Sequence, residues 1–174
     1  MGECKNMEES TEIKKIKNFS LNVRKNILEM AVSAGASSAH FGGALSIIEV
    51  LAVLYEEILD IDLKNPKDRF ILSKGHASLA LYCTLFEKKI ISLNTLNSYG
   101  TNKTKLMGHV SHKVKGVEFS TGSLGHGLNV GVGMAKAAKL DSRKHKIANP
   151  IGTNIFEGQI GSPISIDLIA AIAS

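Results

Sequence analysis

The sequence contains no tryptophan, and aromatic residues make up 5% of it. The 21 lysines and arginines are spread along the chain and do not form one cluster. Proteins that bind nucleic acid typically combine a concentrated basic surface with aromatic side chains that stack on bases. The composition therefore disfavours nucleic-acid binding.

Cysteine is also scarce: Cys4 and Cys83 lie far apart and form no CxxC pair. This usage is typical of a reduced protein and offers no disulfide framework. The N-terminal residues carry charges of both signs and lack the apolar segment of a secretory signal. The apolar stretch from Gly42 to Leu59 contains three glutamates and is shorter than the roughly 20 apolar residues of a membrane span. We expect a cytoplasmic protein that neither is exported nor enters a membrane.

The remaining composition fits one folded domain. With 174 residues, 44% of them apolar, the chain can bury one sizeable core. We expect residues 1–12 to form a flexible tail and residues 13–174 to form one α/β domain. The net charge of +5 could attract phosphorylated metabolites, or the lysines could simply solvate helix faces.

Apolar periodicity predicts the elements of the N-terminal half. Spacings of three and four predict a helix over residues 12–33, and the small residues 33–39 end it. A second helix is predicted near 45–59. The run 69–73 has an apolar centre between polar flanks, which indicates a buried strand, and a helix follows over about 76–88. The stripe of the first helix comprises Ile13, Ile16, Phe19, Val23, Ile27 and Met30.

The C-terminal half is predicted to contain one long loop between helices. Ser92 can cap a short helix, and residues 101–118 show no periodicity, which indicates a loop long enough to be functional. A helix rich in small residues is predicted over 128–139. A strand is predicted from Lys144, and Pro150, which has no amide hydrogen to donate, indicates its end or a sheet edge.

Three histidines lie at junctions between predicted elements. His40 precedes two glycines, His76 follows Gly75 after the predicted strand, and His109 follows a glycine in the long loop. Ligands of α/β sheets bind where strands end and helices begin, and an imidazole there can donate to a phosphate or hydroxyl group. Alternatively, each histidine satisfies a buried loop carbonyl. Separations of 36 and 33 residues match no local zinc motif.

The glycine segment from Gly125 to Gly131 misses the GxGxxG pattern, and alone it indicates a tight loop or close helix packing. Three segments in order carry more information: SAGASSAHFGGALS, DRFILSKGHASLALY and GHVSHKVKGVEFSTGSLGHGLNVGVGMAKAAKL. Together they closely resemble successive motifs of the transketolase family. The resemblance extends from about Ile13 to Leu140.

The resemblance implies a doubly wound parallel sheet of the thiamine-diphosphate-binding type, here incomplete. In this family the domain holds the cofactor diphosphate through a divalent metal, magnesium, and another domain holds the aminopyrimidine. By motif, His40 and His109 match residues that contact the reacting end of the substrate. His76 matches a residue near the diphosphate, and Gly122 and Leu124 match backbone contacts to the cofactor.

The sequence departs from the family pattern after residue 148. Where the family has an aspartate that binds the metal, this chain has Gly152 or Thr153, depending on the alignment, and neither is a carboxylate. Magnesium usually needs one or two carboxylates besides phosphates, so weaker metal and cofactor binding is expected. Glu157 matches a cofactor-site position with a structural or electrostatic role. Residues 160–174 resemble the family poorly and are predicted to form a short terminal helix from about residue 165.

Three functions remain open from the sequence. The first is a transketolase-like subunit that joins a pyrimidine-binding partner subunit in an oligomer and takes part in transferring a two-carbon ketol unit between sugar phosphates. The second is a non-catalytic or truncated protein of the same fold that acts as an interaction module, because the metal-binding aspartate is absent. The third, a synthase that condenses pyruvate on the same cofactor, fits the third motif less well. An uncovered sheet edge would favour a partner chain or an incomplete product.

Overall fold

The first helix supplies one long wall of the core. A computed structural model describes residues 11–35, 39–61, 68–142 and 146–148. Helix α1 spans Thr11–Ala34, close to the predicted 12–33. Its stripe is buried from Phe19 to Met30, whereas Ile13, predicted to belong to it, is 46% exposed. The apolar pattern therefore continues one turn beyond the part of the helix that the core covers.

The predicted helix near 45–59 is present over residues 48–58, as α3 (Ile48–Val53) continued by a π-helical turn at Leu54–Ile58. A separate short helix, α2 (Phe41–Leu45), precedes it. Between α2 and α3, the Ser46 hydroxyl donates to the Gly43 carbonyl oxygen at 2.9 Å. Serine side chains that bond nearby backbone in this way compete with helix continuation, which accounts for the break.

Two short parallel strands form the described part of the sheet. Strand β1 (Arg69–Phe70) pairs with β2 (Ile147–Ala148) in parallel. Strand β1 is shorter than the predicted run 69–73, and the rest of the strand predicted from Lys144 lies outside the described residues. The buried Asp68 carboxylate links their starts, because it accepts from the backbone amides of Asp60 and Lys146, each at 2.8 Å. A parallel pair joined through helices is typical of an α/β fold.

Helix α4 lies at the centre of the core. A 3-10 turn at Gly75–Ala77 leads into α4 (Ser78–Glu87), in which every residue from Ser78 to Leu85 is buried. It packs against α1, α2 and α3. A helix that is buried all round needs no polar face, which explains why its sequence is apolar on every side.

The remaining elements carry the loop and the glycine segment. Helix α5 spans Leu93–Leu96, and the Ser92 hydroxyl caps it as predicted by accepting from the Thr95 amide at 3.2 Å. Residues 101–118 contain no helix or strand, as expected. Helix α6 spans His126–Leu140. No helix in the described part of the chain is both long and apolar enough to cross a membrane.

Candidate functional site

The fold brings the three predicted histidines together. The ring centroid of His40 lies 5.7 Å from that of His76 and 5.6 Å from that of His109, with edge-to-face geometry in both pairs. His40 directly precedes α2, His76 lies in the 3-10 turn after β1, and His109 lies in the long loop. His40 and His109 are exposed, and His76 is half-buried. We call these three residues the imidazole cluster.

Gly43 makes room for the imidazole cluster. A Cβ at this position would lie 2.6 Å from Cδ2 and 2.8 Å from Nε2 of His76. Distances below 3.0 Å are not tolerated, so any other residue would push the ring away. Of the two adjacent glycines, Gly43 is therefore the one that packs closely, against the ring of His76.

The loop that carries His109 is held by hydrogen bonds on both sides of it. The Ser78 hydroxyl donates to the Gly108 carbonyl oxygen at 2.9 Å, and the Val110 amide donates to the Gly75 carbonyl oxygen at 3.1 Å. The Tyr82 hydroxyl, in α4, also donates to the Met107 carbonyl oxygen at 3.1 Å. Hydrogen bonds from α4 and from the 3-10 turn therefore hold the residues on both sides of His109 in place.

Tyr82 acts in this contact as a neutral donor. Burial raises the pKa of its phenol to about 12. A neutral hydroxyl keeps its proton for the hydrogen bond at any physiological pH. The anchor of the loop is therefore independent of pH in that range.

The segment before α6 packs against the end of β1. A Cβ at Gly75 would lie 2.3 Å from the carbonyl oxygen of Thr121, and the Thr121 hydroxyl donates to the Leu72 carbonyl oxygen at 2.5 Å. Gly122 is therefore next in sequence to a residue in contact with the strand end, and it is exposed with open space around its Cα. Leu124 is 59% exposed, so its side chain takes no part in the core.

Two buried polar residues at this strand end were missed by the sequence reasoning. Lys74 is 3% exposed, and its ammonium donates to the Ser46 hydroxyl at 3.0 Å. Burial lowers the pKa of this lysine from its ordinary value. Ser73 is 1% exposed, and its hydroxyl has no hydrogen-bond partner within the described part of the chain. Their position directly after a buried strand was the signal that could have identified them.

The donor groups present suit an anionic ligand better than a metal ion. Imidazoles, an ammonium and a buried hydroxyl lie in or close to the segment that follows β1, and all of them can donate to phosphate oxygens. Within residues 11–35, 39–61, 68–142 and 146–148, no three histidine, cysteine, aspartate or glutamate side chains are arranged to hold a metal ion. Gly152, Thr153 and Glu157 lie outside the described residues. The described residues therefore fit the diphosphate of a cofactor, and they do not by themselves provide a magnesium site.

An α/β fold with a donor-rich site at the end of a parallel strand defines a class of proteins that bind phosphorylated ligands there. Residues 19–159 match the family described as the transketolase, thiamine diphosphate binding domain. This match covers most of the chain, which belongs to that family. The resemblance seen in the three sequence motifs is thereby confirmed.

Several relatives are named as transketolase subunits. The chain is 39% identical to an apulose-4-phosphate transketolase subunit of Phocaeicola vulgatus, over 94% of this chain and 60% of the relative. It is 40% identical to a 6-deoxy-6-sulfo-D-fructose transketolase subunit of a Clostridium species, over 79% of this chain and 52% of the relative. The chain thus spans little more than half the length of these curated relatives.

A solved structure supports the same fold. A transketolase mutant from Pichia stipitis matches with a TM-score of 0.64 and 25% sequence identity, over 78% of this chain and 22% of that chain. The similarity covers most of the described residues and a small part of the larger enzyme. The α/β class expected from the sequence is consistent with this likeness and with the parallel pair of strands.

Proposed function

We propose that this chain is the diphosphate-binding part of a transketolase-like enzyme, and that it takes part in transferring a two-carbon ketol unit between sugar phosphates. The observation that supports this proposal is the imidazole cluster, in which three histidines from separate segments of the sequence lie together, one of them in the turn that follows β1. Thiamine diphosphate, when bound, supplies the carbanion chemistry that breaks and forms the carbon–carbon bond. The protein must then bind, orient and exchange protons.

The exposed members of the cluster are suited to the substrate. His40 and His109 face solvent with ring centroids 5.6 Å apart. A neutral imidazole has one donor and one acceptor nitrogen, so each ring can hold a substrate hydroxyl and accept or return its proton. We propose that both act on the hydroxyl and carbonyl groups at the reacting end of the sugar.

The half-buried side of the cluster is suited to the cofactor. His76 lies deeper than the other two rings, and it follows the strand end where phosphate groups bind in this type of fold. Gly122 and Leu124 belong to the segment that joins this strand end to α6, and their backbone groups are proposed to contact the cofactor. Glu157 is proposed to serve the same site in a structural or electrostatic role.

The partner subunit, the magnesium ion and the wider assembly belong to this proposal as well. Relatives named as transketolase subunits support a second, pyrimidine-binding chain and an oligomer. We further propose a doubly wound sheet, one domain over residues 13–174 after a tail of residues 1–12, and a cytoplasmic location. A magnesium site would need carboxylates besides those of the described residues.

A non-catalytic role in the same fold is the second candidate. It is favoured by Gly152 and Thr153, which stand where the family has a metal-binding aspartate. In this role the chain would keep the surface that meets a partner subunit without completing a metal-dependent site. The two candidates differ in whether transfer activity appears once a partner is present.

The deciding experiment measures ketol transfer by the chain combined with a candidate pyrimidine-binding partner subunit. We expect His40→Ala and His109→Ala each to lower kcat about a hundredfold or more, as loss of a proton-transferring group does. His112→Ala is the matched control, because His112 is exposed on the same loop and bonds Ser120 at 2.8 Å outside the cluster. Transfer that survives both cluster substitutions would refute the proposed roles, and no transfer with any partner would favour the non-catalytic candidate.

A further inference from the structure

The basic residues are spread along the chain, but the acidic residues are not. The 53 residues between Glu87 and Asp141 contain eight lysines and a single carboxylate side chain, that of Glu118. This segment therefore has a formal charge of +7, whereas the whole chain has +5. The excess of positive charge thus belongs entirely to the segment that contains the long loop, with His109, and helix α6.

The long loop contributes four lysines that no carboxylate neutralises. All four are exposed, and within the described residues none of them forms an ion pair. The Glu118 carboxylate is already bonded to the Arg69 guanidinium at 2.8 Å, so it leaves these lysines uncompensated. The four residues are Lys103, Lys105, Lys113 and Lys115.

The backbone that carries these lysines is anchored in the core. Leu106, next to Lys105, is 1% exposed, and Val114, between Lys113 and Lys115, is 3% exposed. The loop therefore buries its apolar side chains and directs its lysines into solvent. The charges are long side chains on a fixed backbone, so they stay close to the residues that the loop carries.

Two of the lysines lie close to His109 on either side of it. Lys105 precedes His109 by four residues, and Lys113 follows it by four. Four residues of fully extended chain span at most about 14 Å, which limits the distance whatever path the loop takes. The Debye length is about 8 Å at physiological ionic strength and about 30 Å at 0.01 M salt. The exposed His109 ring is therefore within the field of both charges, most strongly at low salt.

Solvation alone does not account for a surface of one sign. A surface that serves solubility usually carries both signs interspersed, as helix α1 does, where Arg24 pairs with Glu49 and Lys25 with Glu29. Charges of one sign beside a binding site raise the local concentration of oppositely charged ligands and speed their association. The long loop has this second arrangement.

We propose that Lys105 and Lys113, supported by Lys103 and Lys115, form an electrostatic entrance that attracts anionic sugar substrates to the imidazole cluster. The inference rests on the proposed function and deepens it, because it assigns preference for a charged substrate to lysines that need not touch that substrate. Attraction before contact changes the capture of substrate and not the chemical step. These lysines should therefore affect kcat/KM and leave kcat unchanged.

The first test measures the electrostatic potential at the cluster without using ketol transfer. An anionic and a cationic nitroxide of similar size are added to the full chain, and the relaxation enhancement of the His109 ring protons is recorded with each. At a separation of about 12 Å, two lysines change the ratio of the two enhancements about three- to fivefold at 0.01 M salt. We expect Lys105→Gln/Lys113→Gln to lower the ratio by this factor and Lys105→Arg/Lys113→Arg to retain it.

The matched control is Lys14→Gln/Lys25→Gln in helix α1, which removes the same amount of charge from exposed positions elsewhere. It should leave the ratio unchanged. In the unaltered chain the ratio should fall towards one as salt is raised from 0.01 M to 1 M, a comparison that needs no variant to fold. Equal ratios in the two glutamine variants, or a ratio of one in the unaltered chain at 0.01 M salt, would overturn the proposal.

The second test measures ketol transfer with a candidate partner subunit, using a ketose phosphate and the same ketose without its phosphate as donors. Lys105→Gln/Lys113→Gln should lower kcat/KM for the phosphorylated donor about three- to fivefold at 0.01 M salt and less than about twofold at 0.15 M. An equal loss for both donors would contradict an electrostatic role. Loss of binding to the partner subunit with an unchanged nitroxide ratio would assign the lysines to a protein contact and overturn the proposal. Because the nitroxide measurement does not depend on transfer, the entrance and the proposed function can fail separately.

Discussion

Replacing Gly43 by alanine should disturb the imidazole cluster without altering any imidazole. The added Cβ would lie 2.6 Å from the His76 ring, whereas ordinary contact begins at 3.4 Å, so the ring must retreat by about 0.8 Å. His76 lies beside His40 at 5.7 Å between centroids, so the retreat changes the geometry of that pair. A displacement near 1 Å can lower a rate by about a hundredfold.

The effect of Gly43→Ala on stability follows from two opposed terms. Crowding a packed site costs about 1 to 3 kcal/mol, and alanine in place of glycine in a helix returns about 0.5 to 1 kcal/mol. The net loss expected is therefore between about 0 and about 2.5 kcal/mol, with a middle value a little above 1 kcal/mol. Gly42→Ala, one residue earlier in α2, meets nothing within 4 Å and should gain about 0.5 to 1 kcal/mol.

The assay compares these two variants by urea unfolding and by the imidazole NMR signals. For a domain of this size, each 1 kcal/mol corresponds to about 2 to 4 °C in Tm, so thermal melts give an independent reading. If the ring yields easily, the loss of stability shrinks while the signals of His76 and His40 shift further. Equal stability of Gly43→Ala and Gly42→Ala, together with unchanged imidazole signals, would refute the packing of Gly43 against His76.

The remaining predictions concern packing, charge and thiol burial. Gly127→Ala should destabilise the chain by about 1 to 3 kcal/mol, because the added Cβ would lie 2.8 Å from Cα of Ser73. Gly133→Ala, in the same helix, meets nothing within 4 Å and should not destabilise it. Equal urea midpoints of the two variants would contradict this. Burial raises the pKa of the Glu56 carboxyl group, but the hydrogen bonds and charges of Lys15 and Lys88 lower it by more, so this pKa lies below its ordinary value of 4.5. The ionised carboxylate therefore stabilises the fold above that pH, and the stabilisation is lost as the pH falls below it. Glu56→Gln should lower the free energy of unfolding by about 1 to 2 kcal/mol at neutral pH and by progressively less in acid. A difference in stability that does not depend on pH would contradict this. Burial raises the pKa of the Cys83 thiol, so in a Cys4→Ser background Cys83 should react with a thiol reagent in denaturant alone, and rapid reaction of the folded chain would contradict its burial.

The sequence predicts the helices better than the strands. Helices α1, α4 and α6 repeat apolar or small residues over several turns, and the structure has each of them within about two residues of the predicted ends. Strands β1 and β2 contain two residues each. A strand is defined by its hydrogen-bonded neighbour. The Ile71 amide still donates to the Ala148 carbonyl oxygen at 2.9 Å, and the neighbouring chain after residue 148 lies outside the described residues. The apolar run therefore predicts a buried segment, but composition does not predict which residues are paired.

The three histidines could be singled out as candidate site residues because each lies at an element junction within two residues of a glycine. Their order in space could not be predicted. His40 lies between the other two rings because α2 docks on the 3-10 turn through Gly43 and the long loop is bonded at Gly108 and Val110. These contacts join residues 30 or more positions apart in the sequence, and no local pattern encodes them.

Lys74 shows why charge alone was an incomplete guide. From the sequence, the lysines were expected either to attract phosphorylated metabolites or to solvate helix faces. Lys74 follows a strand, lies 3% exposed and faces a neutral hydroxyl, so it does not solvate a surface. The described side chains at this site can all serve as hydrogen-bond donors, and such a set attracts phosphate oxygens whether or not a metal ion is present.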